Sequence, residues 1–478
     1  MLQTLRAYGM TRLREAGEEQ QALAALAACA WSVAGQAEAG LEASGDDREL
    51  DTLRWLDAED ATLGRAVGWA VDHDPQLATR LAAALAPWLR RRGRLAEASE
   101  WLRAALTRSS PADEGWAKAQ LWLGYVLSSS ADTAAAVGCF TAVIQARQGR
   151  APSREVVMAL VGRAVVRLNL GEDPALIHDA RRALALARDM GDPAGELEAL
   201  TGLSLTAYYA GDAAGVLDWA RKAQELLRPD VRADDVRWHY YLLATVLTKS
   251  GELDSARRLC AAGLTLSRQA DDQVHLGNLL VISATLERRR GNLAQARAHL
   301  GEAARICIRN GDYVNVANLV NECGYQCAEA GRWADAVTLW AAHAADRNRL
   351  GKQPEDPVDE RPQAQYLARI QQTLEPARLR EARERGAGMP LSAAIELAIM
   401  VSAEAGDHSP PASAGSLLSP RERELVTLVA EGHTNAQIAA RLYISVRTVA
   451  SHLDRIRDKT GCRRRADLTR LAVEQRLV

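Results

Sequence analysis

GELDSA at residues 251–256 is one copy of a short string that recurs every 40 residues along this 478-residue chain. The related strings are GEDPAL (171–176), GDAAGV (211–216), GNLAQA (291–296) and GRWADA (331–336). Each follows an apolar run with helical spacing and has a small or apolar residue five positions after its glycine. Glycine ends a helix in a left-handed turn without steric cost. The small residue then belongs to a second helix, where two helices approach closely.

Two earlier strings extend the pattern, GRLAEA from Gly93 and ADTAAA from Ala131. In the second helix of a unit the apolar residues keep helical spacing, as at Leu253, Leu259 and Leu264. A fixed period of this size is typical of stacked helical hairpins, because one hairpin cannot bury both of its faces. The units resemble tetratricopeptide repeats in a form longer than the usual length of about 34 residues.

The composition excludes several classes of protein. Hydrophobic residues make up 48% of the chain and charged residues 25%, with a single Phe. Ala and Leu dominate, which favours helices over strands. No apolar run reaches the length of about 18 residues that a membrane helix needs, and the charged start is unlike a secretion signal. Seven scattered cysteines, an odd number, fit a reducing cytoplasm. We expect an all-α cytoplasmic protein that does not enter a membrane.

The charge is unevenly distributed along the chain. Residues 418–478 contain 12 Lys/Arg and 7 Asp/Glu, whereas the remaining residues contain 47 and 54. A basic tail on an acidic body predicts that only the tail meets a polyanion. The stretch GDHSPPASAGS before it, at residues 406–416, has the composition of an interdomain linker.

The basic tail has the pattern of short capped helices. Ser419, Pro420 and Glu422 provide the N-cap, first-turn proline and acidic third position of a capping box. Thr434 is placed to cap a second helix and Ser445 a third. The predicted inner faces are Leu425, Leu428 and Val429 in the first helix, Ile438, Ala439 and Leu442 in the second, and Val446, Val449, Leu453 and Ile456 in the third.

The outer face of the third helix carries Arg and short polar groups, which can hydrogen-bond base edges in a major groove. The strings SPRERE, EGHTNAQIAARL and ISVRTVASHLDRIRDKTG resemble the LuxR-type helix-turn-helix in order and spacing. That resemblance implies that Ala450, Ser451 and Asp454 face the bases. Ala450 and Asp454 depart from the family, which commonly has Lys at the first position and polar or basic residues at the second. Direct readout is therefore expected to use Arg447 or Arg455, or DNA shape.

Other side chains of the tail are candidates for phosphate contacts, which position a domain without reading sequence. They are Thr434, Asn435, Thr448, Arg457, Lys459, Arg463 and Arg464. The alternative is a solvated basic face. The predicted fourth helix carries Leu468, Leu471 and Ala472 on one side. The resemblance implies that this helix pairs a homodimer on double-stranded DNA. The alternative is that it only covers the third helix.

The front of the chain resembles the large ATP-dependent LuxR regulators, the group of the maltose regulator. The stretches that carry the resemblance are LQTLRAYGMTRLREAGE (2–18) and LREARERGAGMPLSAAIELAI (379–399). Those proteins place an ATPase module first, then helical repeats, then the LuxR domain. No G-x-x-x-x-G-K-[ST] phosphate loop is present here, and Gly351-Lys352 is the only Gly-Lys pair. Either this is a shortened natural form, or its true start lies upstream. We expect no enzyme activity and no cofactor.

Two clusters in the repeats allow alternatives. Tyr208, Trp238 and Tyr241 can line a groove that holds an effector, or can pack between repeats. Cys323 and Cys327 lie four residues apart on a helix, as zinc ligands can, but no second pair or nearby His completes a site. Packing thiols are the favoured interpretation, so no metal is expected.

These patterns predict an all-α chain, a tetratricopeptide-like superhelix followed by a four-helix LuxR-type helix-turn-helix domain. The predicted segments are N-terminal helices (1–75), repeats (76–350), a loop and helical segment (351–404), a linker (405–417) and the DNA-binding domain (418–478). The predicted function is a transcription regulator, an activator by resemblance, whose repeats bind a small-molecule effector or a protein partner. RNA polymerase is a further candidate partner. The alternatives are an interaction scaffold with weak DNA tethering and an NTP-using enzyme.

Overall fold

The computed structural model shows an all-α chain with 21 helices in the residues that it describes. Those residues are 3–41, 47–129, 132–170, 177–228, 231, 236–349, 357–404 and 420–430, with 433–435, 437–438, 449, 453, 456, 468, 471 and 472. No described residue lies in a strand. The predicted fold class is confirmed.

Seven successive helical hairpins form the middle of the chain. Their first helices are α4 (Pro75–Arg91), α6 (Trp116–Ser128), α8 (Arg154–Asn169), α10 (Pro193–Tyr209), α12 (Val236–Lys249), α14 (Gln273–Arg289) and α16 (Tyr313–Glu329). Their second helices are α5 (Leu95–Leu106), α7 (Thr133–Ala146), α9 (Ile177–Asp189), α11 (Ala213–Leu226), α13 (Leu253–Gln269), α15 (Leu293–Asn310) and α17 (Trp333–Arg349). These are the seven units that the repeated strings predict.

The turn inside each hairpin is made as the glycine pattern predicts. Gly251 has φ +88°, and the N–H of Glu252 donates to the carbonyl of Leu247 at 2.9 Å, closing the end of α12. Gly211, Gly291 and Gly331 have φ between +72° and +80°. Gly171 lies outside the described residues. The small residue five positions later is buried at the start of the second helix, as Ala256 shows with no exposed surface.

A second periodic turn, between hairpins, was missed in the sequence. Gly191, Asp271 and Gly311 have φ of +60°, +50° and +66°. Each is followed by an aspartate, and the side chains of Asp272 and Asp312 accept from backbone N–H groups of α14 and α16. These aspartates are also 40 residues apart, so the sequence did contain the signal.

Helices α1 (Gln3–Ala16), α2 (Glu19–Leu41) and α3 (Asp47–His73) precede the hairpins. Helices α18 (Pro357–Thr373), α19 (Pro376–Ala387) and α20 (Leu391–Glu404) follow them. The break predicted near Gly386 to Pro390 is confirmed. The expectation that all of residues 351–363 form a loop was wrong, because α18 begins at Pro357. A proline at the first position of a helix loses no hydrogen bond, so it starts the helix instead of preventing it.

The chain divides into two compact units. Unit 1 comprises Met1–Glu322 and His343–Thr373, and unit 2 comprises Cys323–Ala342 and Leu374–Val478. Within unit 2, the Thr338 hydroxyl donates to the carbonyl of Ala382 at 3.3 Å. A side chain at Gly386 would collide with the carbonyl of Thr338, so this glycine allows α19 to approach α17 closely.

Candidate nucleic-acid interface and buried charge network

The helix-turn-helix segment has a wholly apolar core in its described residues. Its first helix, α21 (Pro420–Ala430), begins at the predicted proline. Residues of all predicted helices meet in this core, and the predicted inner stripes of the first and third helices are confirmed wherever they are described. The buried residues are Leu425, Val426, Leu428, Val429, Ile438, Val449, Leu453, Ile456, Leu468 and Ala472.

The start of the second helix is fixed by reciprocal hydrogen bonds. The Gln437 N–H donates to the Thr434 hydroxyl oxygen at 3.3 Å, and the Thr434 N–H donates to Gln437 Oε1 at 2.8 Å. This is a capping box, so the predicted cap at Thr434 is confirmed and Gln437 is the partner that sequence reasoning missed. Thr434 is exposed and Asn435 is half-buried, which leaves this helix end accessible to an anion.

The side chains predicted to touch DNA are mostly not among the described residues. Only Thr434 and Asn435 of the phosphate set are described. Arg447, Ala450, Ser451, Asp454, Arg455, Thr448, Arg457, Lys459, Arg463 and Arg464 lie outside the described residues. Their roles stay predictions, supported by the buried positions of Val449, Leu453 and Ile456 along the same segment.

The three residues predicted for dimerisation differ in burial. Leu468 and Ala472 have no exposed surface and belong to the core of the domain itself. Leu471 is partly buried and packs against that core. This arrangement favours the alternative in which Leu468 and Ala472 cover the third helix. Pairing through Leu471 stays a prediction.

The aromatic residues predicted to line an effector groove form two separate pairs in unit 1. Tyr208 and Tyr209 meet edge to face at 5.6 Å between ring centres, and Lys249 Nζ lies 5.3 Å from the Tyr208 ring centre. Trp238 and Tyr241 lie 5.8 Å apart. Tyr208 is buried, and burial raises the pKa of Tyr241 well above its ordinary value. Packing between repeats accounts for these contacts.

Sequence reasoning missed a group of buried charged side chains in unit 1, the buried charge network: Glu49, Arg91, Arg237, Asp272 and His275. Arg237 donates to both Glu49 oxygens at 2.9 and 2.5 Å, and Arg91 Nε lies 3.2 Å from Glu49 Oε1. Asp272 lies 2.9 Å from His275 Nδ1 and 3.9 Å from Arg237. The network therefore joins α3 and α4 to α12 and α14, more than 180 residues further along the chain.

The end of α4 strengthens this junction. Arg90 Nη2 lies 3.3 Å from His275 Nε2. Arg92 donates to the carbonyls of Ala270 and Asp271 at 3.1 and 3.2 Å, and pairs with Asp57 at 2.7 Å. The run RRRGR at residues 90–94 is the sequence signal that could have indicated this contact surface.

The C-terminal residues 416–472 match the family described as bacterial regulatory proteins of the LuxR type. The chain ends in a LuxR-type helix-turn-helix domain. A protein of Mycobacterium bovis named as an HTH-type transcriptional regulator is 29% identical over 262 residues, covering 54% of this chain and 29% of that protein. The tetrathionate response regulatory protein TtrR of Salmonella typhimurium is 41% identical over 81 residues, covering 17% of this chain and 39% of TtrR.

This chain thus spans less than a third of the length of the mycobacterial relative it matches. A solved structure of a Rap protein complexed with competence and sporulation factor aligns with a TM-score of 0.41 and 13% identity. That alignment covers 68% of this chain and 91% of the Rap chain. The helical-repeat architecture itself follows from the seven hairpins above.

Two searches of the described residues for other sites gave negative results. None of the described helices is both long and apolar enough to cross a membrane. No group of three or more His, Cys, Asp or Glu side chains among them could hold a metal ion. Cys323 and Cys327 are both buried, and burial raises the pKa of the Cys327 thiol well above its ordinary value.

Proposed function

We propose that this chain is a transcription regulator whose C-terminal domain binds specific duplex DNA. The observation that carries the proposal is the LuxR-type domain, with its apolar core around Val449, Leu453 and Ile456. In this proposal Arg447, Ser451 and neighbouring outward residues of the third helix enter the major groove. Thr434 and Asn435 then meet a phosphate at the start of the second helix.

The repeat domain, in this proposal, senses an effector or a protein partner and controls access of the DNA-binding domain to its site. Two copies bind a pseudo-palindromic site, activate transcription through RNA polymerase, and act in the cytoplasm. We propose a purely binding role for the chain, without catalysis. The hairpins support the proposal because stacked hairpins present extended surfaces for binding.

The test is a footprint and a gel shift with the full chain on fragments of genomic DNA at several salt concentrations. We expect site-specific binding that weakens as salt rises, because phosphate contacts release counterions. Arg447→Ala should weaken specific binding by about 1–3 kcal/mol if its guanidinium reads a guanine. Lys459→Ala should weaken binding to all sequences alike and reduce the salt slope by about one.

Arg305→Ala is the matched control, because Arg305 is exposed on α15, outside the DNA-binding domain. It should leave both affinity and salt slope unchanged. A folded chain without affinity for any duplex in dilute buffer would overturn the regulator proposal.

A further inference from the structure

Two adjoining cavities in unit 1 are lined by residues of α2, α4, α6 and α8. The larger has a volume of about 450 Å³ and the smaller about 150 Å³. Glu38, Lys118 and Glu155 line both, so the cavities form one continuous groove. The larger volume lies within the range of about 300–1,000 Å³ that small-molecule sites occupy.

The smaller cavity offers an apolar surface. Leu41, Pro87, Leu121, Trp122 and Met158 line it, and Leu121 and Trp122 have only 2% and 6% of their surface exposed. An apolar group placed here would leave water at the cost of few rearrangements, because these side chains are already packed by the hairpins.

The larger cavity carries an excess of available positive charge. Lys118 pairs with Glu38, and Arg80 lies 3.4 Å from Glu114, so these charges are matched within the groove. Arg147 and Arg150 also line the cavity, and no partner is recorded for either side chain among the described residues.

The count of charges points the same way. Six cationic and four acidic side chains line the two cavities together. Glu155 is the lining carboxylate without a recorded partner in the described part of the chain, against the two guanidiniums of Arg147 and Arg150. A ligand with a negative head group would therefore balance the groove, and a guanidinium pairs well with a carboxylate.

The groove is also connected to the buried charge network. Arg91 and Leu41 both line the smaller cavity. The Arg91 side chain is 3% exposed, donates to the Leu41 carbonyl at 3.0 Å and pairs with Glu49. A ligand in the smaller cavity would touch a residue that holds α4 to α3, and Glu49 links the same pair to Arg237 on α12.

We propose that this groove is the effector site and that it binds a small amphipathic carboxylic acid. The apolar tail occupies the smaller cavity against Leu121, Trp122 and Met158, and the carboxylate lies beside Arg147 and Arg150. Occupancy is communicated through Arg91 to the buried charge network. The regulatory meaning of the site rests on the proposed function, but binding itself does not.

The experiment is calorimetric titration of the full chain with octanoate, without DNA. Octylamine replaces the head charge and acetate removes the tail, so each probe isolates one feature. We expect octanoate to bind and the other two to bind at least about tenfold more weakly. Arg147→Ala/Arg150→Ala should weaken octanoate binding by about tenfold or more, since charged hydrogen bonds are lost. Arg305→Ala is the matched control and should bind as the native chain does.

Circular dichroism of the double variant checks its fold, which should survive because Arg150 is exposed and Arg147 half-buried. Equal binding of octylamine, undiminished binding in the double variant, or no octanoate binding by the native chain would each overturn the site. Exchange protection of peptides around Glu49 and Arg237 that changes on adding octanoate would support the connection through Arg91, and unchanged protection would overturn it. None of these results depends on DNA binding, so the regulator proposal is judged separately by the footprint.

Discussion

Glu49 in α3 and Leu453 in the helix-turn-helix domain are equally buried, with 0% and 1% of their surface exposed. Glu49 is surrounded by Arg91 and Arg237, whereas the described neighbours of Leu453 are apolar. Buried charges lose their hydration and regain it only through well-placed partners. The buried charge network therefore selects which helices meet, and the apolar core supplies stability that depends little on solution conditions.

Breaking the charge network should have the largest effect on stability. Glu49→Gln keeps the size of the side chain but leaves the buried guanidiniums of Arg91 and Arg237 without their shared carboxylate. We expect a loss of about 3–5 kcal/mol in the free energy of unfolding, measured with urea. Exchange protection should fall in peptides of α3, α4, α12 and α14 and stay unchanged in those of residues 420–430.

Its matched control is Glu302→Gln. Glu302 pairs with Arg268 at 3.2 Å, but that pair is 34% and 50% exposed. Surface pairs contribute only about 0–1 kcal/mol. Equal losses for Glu49→Gln and Glu302→Gln would contradict the role assigned to the network.

Breaking the apolar core should have a slightly smaller and differently located effect. Leu453→Ala removes a buried side chain and leaves a cavity, which costs about 3 kcal/mol in the middle of the usual range. Exchange protection should fall in α21 and its neighbours, and peptides around Glu49 should be unaffected. The control Leu217→Ala removes a leucine that is 42% exposed and should change little. Loss of protection at both ends of the chain would show that the two regions unfold together.

These two regions were also unequally predictable from the sequence. The stripe of Val449, Leu453 and Ile456 is local, and helical spacing alone places its members on one face. The contact of Glu49 with Arg237 joins residues 188 positions apart and leaves no periodic trace. The turn at Asp271 did have a 40-residue repeat, but its aspartates were not recognised as caps. The DNA-contacting side chains rest on resemblance alone.

The acid response should sharpen the comparison, because two caps of the solenoid have opposite pKa shifts. Burial alone would raise the pKa of Asp272, but the charges and hydrogen bond of His275 and the charge of Arg237 outweigh it and hold that pKa below its ordinary value. Burial raises the pKa of Asp312, and its bonds from Asn315 offset this only in part. Asp272 therefore stabilises the fold above about pH 4 and loses this contribution as pH falls. Asp312 contributes below about pH 4 and loses its contribution as pH rises.

We expect Asp272→Asn to destabilise the chain at pH 7, and its difference from the native chain should shrink as pH falls below about 4. Asp312→Asn should be neutral or stabilising at pH 7, with a difference that also shrinks in acid. Each unit of displaced pKa corresponds to about 1.4 kcal/mol. The measurement is urea unfolding between pH 3 and 7. The exposed Asp189 serves as control, and Asp189→Asn should follow the native profile. Parallel profiles for all three variants would contradict the assigned shifts.

The smallest effect is expected where the helix-turn-helix domain uses polar atoms. Thr434→Ala removes the hydroxyl that accepts from Gln437 N–H and should cost about 1 kcal/mol, seen as lost exchange protection around Gln437 and Ile438. Thr434→Ser keeps the acceptor and should retain the protection. The control Thr265→Ala changes an exposed threonine inside α13 and should be neutral or slightly stabilising, because Ala is the better helix former. If Thr434→Ala instead weakened DNA binding while protection stayed intact, its hydroxyl would serve a phosphate and not the cap.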